Sequence, residues 1–92
     1  MNEGKKLYLK VLARRNLKMT ISKMSAQAAH AALGLMKAHP RDDYHGCIVL
    51  QITDKKFQEA KAAIENVYVV TDAGLTEVPP GTETVLAYWE IK

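Results

Sequence analysis

Lys23, Gln27 and His30 recur at spacings of four and three, with Gly34 four residues further on. On a helix these positions share one narrow stripe, so a cation, an amide and an imidazole stand in line. Far along the chain, Asp72 is followed by Thr76, Thr82 and Thr84, in a segment that also carries Gly74, Pro79, Pro80 and Gly81. Glycine permits positive φ and proline fixes φ, so one carboxylate and a row of hydroxyls are held in few geometries. A carboxylate there can act as a base or as the partner of a lysine. Threonine hydroxyls both donate and accept, which suits orienting a water or a ribose hydroxyl. The plainer alternatives are a surface lysine at a helix start and a histidine hydrogen-bonded in the interior. Asp72 and Thr76 would then merely satisfy turn backbone.

Other chemistries have less behind them. Ser22 or Ser25 with His30 and Asp72 names the atoms of a nucleophilic triad, but no G-x-S-x-G elbow is present. His39, Asp42, Asp43 and His45 fall on one loop with no matching ligand elsewhere, a weak metal signal. There is no P-loop and no dinucleotide fingerprint. Cys47, the one cysteine, rules out a disulfide within the chain and fits a reducing cytoplasm. It opens the apolar run Cys47-Ile48-Val49-Leu50, which predicts a buried, inert thiol.

The chain has 92 residues, 48% of them apolar and 25% charged, an ordinary globular composition that predicts one domain over residues 1–92. No apolar run approaches the roughly 20 residues of a bilayer span, and no signal peptide is read at the N-terminus. The net charge of +3 is unevenly distributed. Lys5, Lys6, Lys10, Arg14, Arg15, Lys18 and Lys23 face only Glu3 in the first 23 positions, and acids outnumber bases afterwards. A basic end on a near-neutral body points to a polyanionic partner, nucleic acid ahead of membrane.

These residues must be positioned by alternating strands and helices. Leu7 to Ala13 alternates as a strand with one well-buried face, and Arg14 to Thr20 is a polar loop. A helix is expected from Lys23 to about Ala38, capped by Ser22 and stopped before Pro40. Cys47 to Ile52 reads as a fully buried strand. Asp54 is placed to cap a helix from Lys55 to about Glu65 that buries Phe57, Ala60 and Ile64. Val67 to Thr71 and Thr84 to about Glu90 complete four strands. The pattern predicts a layered α/β domain with a mixed sheet, parallel across the helical connection and antiparallel across the short turn. The loop after the first strand and Asp72 after the third then fall on the same edge.

The two chemically suggestive stretches together resemble the archaeal and eukaryotic-type (class II) peptidyl-tRNA hydrolases. The resemblance covers "LARRNLKMTISKMSAQAAHAALGLMK" and "VVTDAGLTEVPPGTETVLA". Lys23, Ala26, Gln27, His30 and Ala31 match the family's lysine and Ala-Gln…His-Ala helix. Asp72, Ala73, Gly74, Thr76, Pro80, Gly81, Thr82 and Thr84 match its Asp-Ala-Gly-x-Thr and Pro-Gly-Thr-x-Thr segments. The resemblance implies a three-layer α/β/α-type domain around a four-stranded mixed sheet. It also implies hydrolysis of the ester joining a peptide to the 3′ ribose of tRNA, with no metal or organic cofactor. Catalysis is implied at Lys23, Asp72, Thr76 and Thr84. Arg14, Arg15, Lys18, Gln27, Gly74 and Thr82 are implied to bind peptidyl-tRNA, and His30 and Gly81 to be structural. A relative that binds tRNA without turnover is the alternative.

The chain departs from the family pattern at three places. Thr20-Ile21-Ser22 replaces a glycine-rich loop with an extra lysine. The chain stops at Lys92, where the family continues with a glycine-proline segment and a helix. "YWEIK" replaces a glycine-rich exit, and Trp89 is expected to cover surface or to seat a partner chain in a homodimer.

Overall fold

The chain folds in the order β1 (Leu7–Arg14), α1 (Ile21–Ala38), β2 (Gly46–Ile52), α2 (Asp54–Ala63), β3 (Tyr68–Thr71) and β4 (Glu83–Ile91). The computed structural model describes residues 4–74 and 78–92. The strands form one sheet in the order β2-β1-β4-β3. β1 pairs parallel with β2, and β4 runs antiparallel to both β1 and β3. The helical crossover through α1 permits the parallel pair, while the short link after β3 returns β4 in the opposite sense.

Strand alternation decides the layers. Leu9, Val11 and Ala13 of β1 and Val85 and Ala87 of β4 pack with Ala31 and Leu35 of α1. Leu12 and Leu86, pointing the other way, pack with Phe57 of α2. Successive strand side chains face opposite sides, so the helices cover opposite faces and the fold has three layers. Phe57, Leu35, Leu86, Val11 and Val85 are fully buried, each contributing roughly 1.5–3 kcal/mol by leaving water. β1 buries both faces rather than the one expected. Lys10 survives there because its Nζ reaches Glu90 Oε1 at 3.1 Å.

The expectation for β2 is corrected. This strand is a sheet edge, Cys47 is exposed, and Val49 and Leu50 are 47% and 46% exposed. α1 lies over β4, β3 and β1, so β2 is left outside its cover. An apolar run describes a strand's own faces; it does not say which helix covers them.

Both helix caps also differ from expectation. Thr20 Oγ1, not Ser22, accepts from Lys23 N at 3.2 Å, and α1 starts at Ile21. Thr53 Oγ1, not Asp54, accepts from Lys56 N at 3.3 Å. Each true cap stands beside a second residue of good capping type, so local propensity could not separate them. Asp54 becomes the first residue of α2, where a carboxylate suits the helix dipole. Trp89 closes on its own chain: its Nε1 donates to His39 O at 2.7 Å and its ring lies 6.0 Å from that of Tyr44.

Candidate active site

β1 and β3 run their C-terminal ends towards the start of α1, and this brings the two separated motifs together. Lys23 sits in the first turn of α1, one residue beyond an exposed approach formed by Ile21 and Ser22. Asp72 follows β3 directly, where the pairing shifts register between Val70 and Thr71. Its backbone continues the sheet: Asp72 N donates to Thr82 O and Gly81 N donates to Asp72 O, both at 2.8 Å.

Lys23 Nζ donates to Asp72 Oδ2 at 2.6 Å, and Gln27 Nε2, one turn along α1, donates to the same oxygen at 2.9 Å. Gly74 N donates to Asp72 Oδ1 at 2.6 Å. Behind them Thr84 Oγ1 donates to Gln27 Oε1 at 2.6 Å. That bond fixes which end of the amide faces Asp72. Gln27, Asp72 and Thr84 are buried, Thr84 completely, and the Lys23 side chain is 11% exposed.

The Lys23 hydrogen bond, and next the Gly74 N–H, hold the Asp72 carboxyl below the usual carboxylate range, outweighing the burial that pushes it up. Asp72 is therefore an anion at neutral pH. A carboxylate has about four acceptor sites, and donors among the described residues take three of them, one on Oδ1 and two on Oδ2. An ammonium has three donors, and among the described residues Asp72 takes one of those of Lys23.

The pair stands at one end of an open cleft of about 820 Å³. One wall is the α1 stripe Lys23, Gln27, His30, Gly34 and Lys37, and the other is β3 with Tyr68, Val70 and Thr71. The walls come close because Gly34 lacks a side chain: a Cβ there would overlap the Tyr68 ring. Gly74, at φ +79°, is fixed both by its left-handed backbone and by the backbone of Pro80 against it.

Residues 6–89 match the family described as Peptidyl-tRNA hydrolase PTH2. This chain belongs to that family. A peptidyl-tRNA hydrolase of Thermococcus onnurineus is 35% identical over 84% of this chain and 78% of its own length. Those of Methanothermobacter thermautotrophicus and Methanopyrus kandleri are each 33% identical, over 83% of this chain and 79% and 78% of their own lengths.

Of the residues that resemblance to the PTH2 hydrolases singled out, Lys23, Gln27, Asp72 and Thr84 form one hydrogen-bonded network. Thr84 stands behind the cleft rather than on its wall. Thr76 lies outside the described residues. Thr82 Oγ1 donates to Pro79 O at 2.7 Å, within the turn. Gly81 takes φ +82°, a backbone need that fits a structural place.

One expectation is corrected, and one further residue is found tied into the fold. His30 is exposed on the cleft wall, not hydrogen-bonded in the interior. Arg14 is held by the fold: its Nε and a terminal nitrogen fork onto Asp54 at 2.9 and 3.1 Å, and the other terminal nitrogen donates to Glu83 O at 2.8 Å. Its guanidinium also lies 5.9 Å from the Phe57 ring centroid. Arg15 and Lys18 are exposed.

The four candidate ligands on the His39–His45 loop do not gather. Asp43 pairs with Arg41, His45 packs edge-on against Tyr8, and no group of three potential ligands is assembled among the described residues. No helix among the described residues is long and apolar enough to cross a membrane. The cleft residues that sequence reasoning missed are Leu33, Lys37, Tyr68, Val70 and Thr71. Lys37 continues the stripe three residues past Gly34, a signal that was readable. The packing of Tyr68 against Gly34 was not.

Proposed function

We propose that this chain hydrolyses the ester between a peptide and the 3′ ribose of tRNA, using Lys23 and Asp72. The observation that carries this reading is the paired ammonium and carboxylate at the end of an open cleft, with donors and one acceptor site not taken by the described residues. In ester hydrolysis a water attacks the carbonyl carbon, charge gathers on the carbonyl oxygen, and the bond to the ribose oxygen breaks as one proton of that water passes to the ribose oxygen. Lys23 supplies fixed positive charge and N–H donors where that oxyanion forms. Losing one such donor typically costs roughly 3–4 kcal/mol of barrier.

Asp72 orients the attacking water through Oδ1 and holds Lys23 through Oδ2. Its depressed pKa makes it a weak proton acceptor, so orientation is its main contribution. Gln27 fixes the Asp72 carboxylate from the cleft wall, and Thr84 acts from behind by holding Gln27. Arg15, Lys18 and the positive end of the α1 dipole meet the tRNA backbone, with no acidic residue in that first turn to oppose them. Thr20 replaces the family's glycine-rich approach with a cap that fixes the backbone of Lys23.

The test is release of labelled N-acetylaminoacyl groups from tRNA by the purified protein. Catalytic turnover supports the hydrolase; salt-sensitive tRNA binding without turnover would replace it with the binding relative.

A further inference from the structure

The cleft continues well past the catalytic pair, and its two ends differ in chemistry. The end at Lys23 is cationic, and the exposed Arg15 and Lys18 precede it in the segment between β1 and α1. The far end is walled by Leu33, Gly34 and Tyr68, with Leu33 70% exposed and Tyr68 36% exposed. Among the described lining residues Lys37 is the only full charge at that end. Phosphates favour the first end, and an uncharged chain favours the second.

The second wall is a strand edge. β3 is last in the sheet order and its residues line the cleft, so it offers an outer edge with no strand beside it among the described residues. Resting on the hydrolase reading, we infer that the peptide part of the substrate binds as an added strand on β3. Backbone hydrogen bonds to an edge hold any sequence, which an enzyme acting on arbitrary peptides requires.

The polarity follows from where the ester must sit. β3 runs from Tyr68 towards Asp72, and the esterified residue is the peptide's C-terminus. With that residue at Lys23 and Asp72, the peptide runs parallel to β3. In a parallel ladder, alternate residues of the added strand offer both their N–H and C=O to the edge. β3 has four residues, about 13 Å of strand at roughly 3.3 Å per residue. Pairing therefore extends over about four peptide residues and then ends.

The experiment compares kcat/KM for N-acetylated peptidyl-tRNAs of one to six residues, all on one tRNA with one C-terminal amino acid. Expected is a gain of about two- to ten-fold for each hydrogen bond added, stepping with alternate residues up to about four and then reaching a plateau, much the same for alanine and glycine peptides. In the four-residue substrate, N-methylation of one alternate set of amides removes the gain, and methylation of the other set leaves it. A flat length dependence, or equal loss from both methylated sets, while N-acetylaminoacyl-tRNA is still hydrolysed, would overturn strand addition and leave the hydrolase standing. No hydrolysis of any member would overturn both.

Discussion

Lys23 and Asp72, 49 positions apart in the chain, meet at 2.6 Å between Nζ and Oδ2. The first turn of α1 supplies one and the end of an edge strand supplies the other. Neither element makes the site alone. Their meeting depends on α1 lying across β3 and β4, so the three-layer packing is what turns two local motifs into one ion pair.

The pair's electrostatics set its pH response. Asp72 has a folded pKa below its unfolded value, so the unfolded chain takes up the proton first. The stabilisation is fully present above the ordinary carboxylate value of about 4 and is lost as pH falls through the lower folded value. Asp54, lowered by Arg14, follows the same sign. Denaturant midpoints measured from pH 7 down to 2 should hold steady to about pH 4 and then fall. Asp72→Asn should flatten part of that fall.

Thr84 contributes from behind the cleft. Thr84→Val keeps the shape but removes the donor to Gln27 Oε1, leaving a buried acceptor unpaired. The expected cost is about 1–3 kcal/mol of stability, a drop in Tm of about 4–8 °C for each kcal/mol in a domain of this size. In substrate kinetics kcat should fall while KM stays nearly constant, and Thr84→Ser should recover most of it. A large rise in KM instead would mean that Thr84 touches substrate.

Three neighbouring cations are predicted to divide between fold and substrate. Arg14→Ala should lower Tm, because it removes the fork onto Asp54 and the bond to Glu83 O. It should leave the salt dependence of tRNA binding unchanged. Arg15→Ala and Lys18→Ala should do the reverse, each reducing the slope of log K against log salt by about 0.7–0.9 for every phosphate no longer neutralised. Fluorescence titrations over a range of salt concentrations, beside thermal melts, separate the two.

Much of this arrangement was legible in the amino-acid sequence. Helical spacing placed Lys23, Gln27, His30 and Gly34 on one stripe, and that stripe lines the cleft. Glycine and proline marked the turn that fixes Asp72, and the alternation of strands and helices indicated the mixed sheet. What escaped depended on tertiary cover. Cys47 and Val49 sit in an apolar run but outside the reach of α1, and His30 sits on a helix whose lining face is open. Arg14 counts as one more cation in the sequence; only the fold brings Asp54, Glu83 and Phe57 around it.

The most direct test is single-turnover hydrolysis of N-acetylaminoacyl-tRNA by wild type, Lys23→Ala and Asp72→Asn, with tRNA affinity and melting measured on the same preparations. The account predicts that both substitutions slow the chemical step by about 100- to 1,000-fold while the folded proteins still bind tRNA. Rates within a few-fold of wild type in either folded variant would contradict it, and would move the chemistry away from this ion pair.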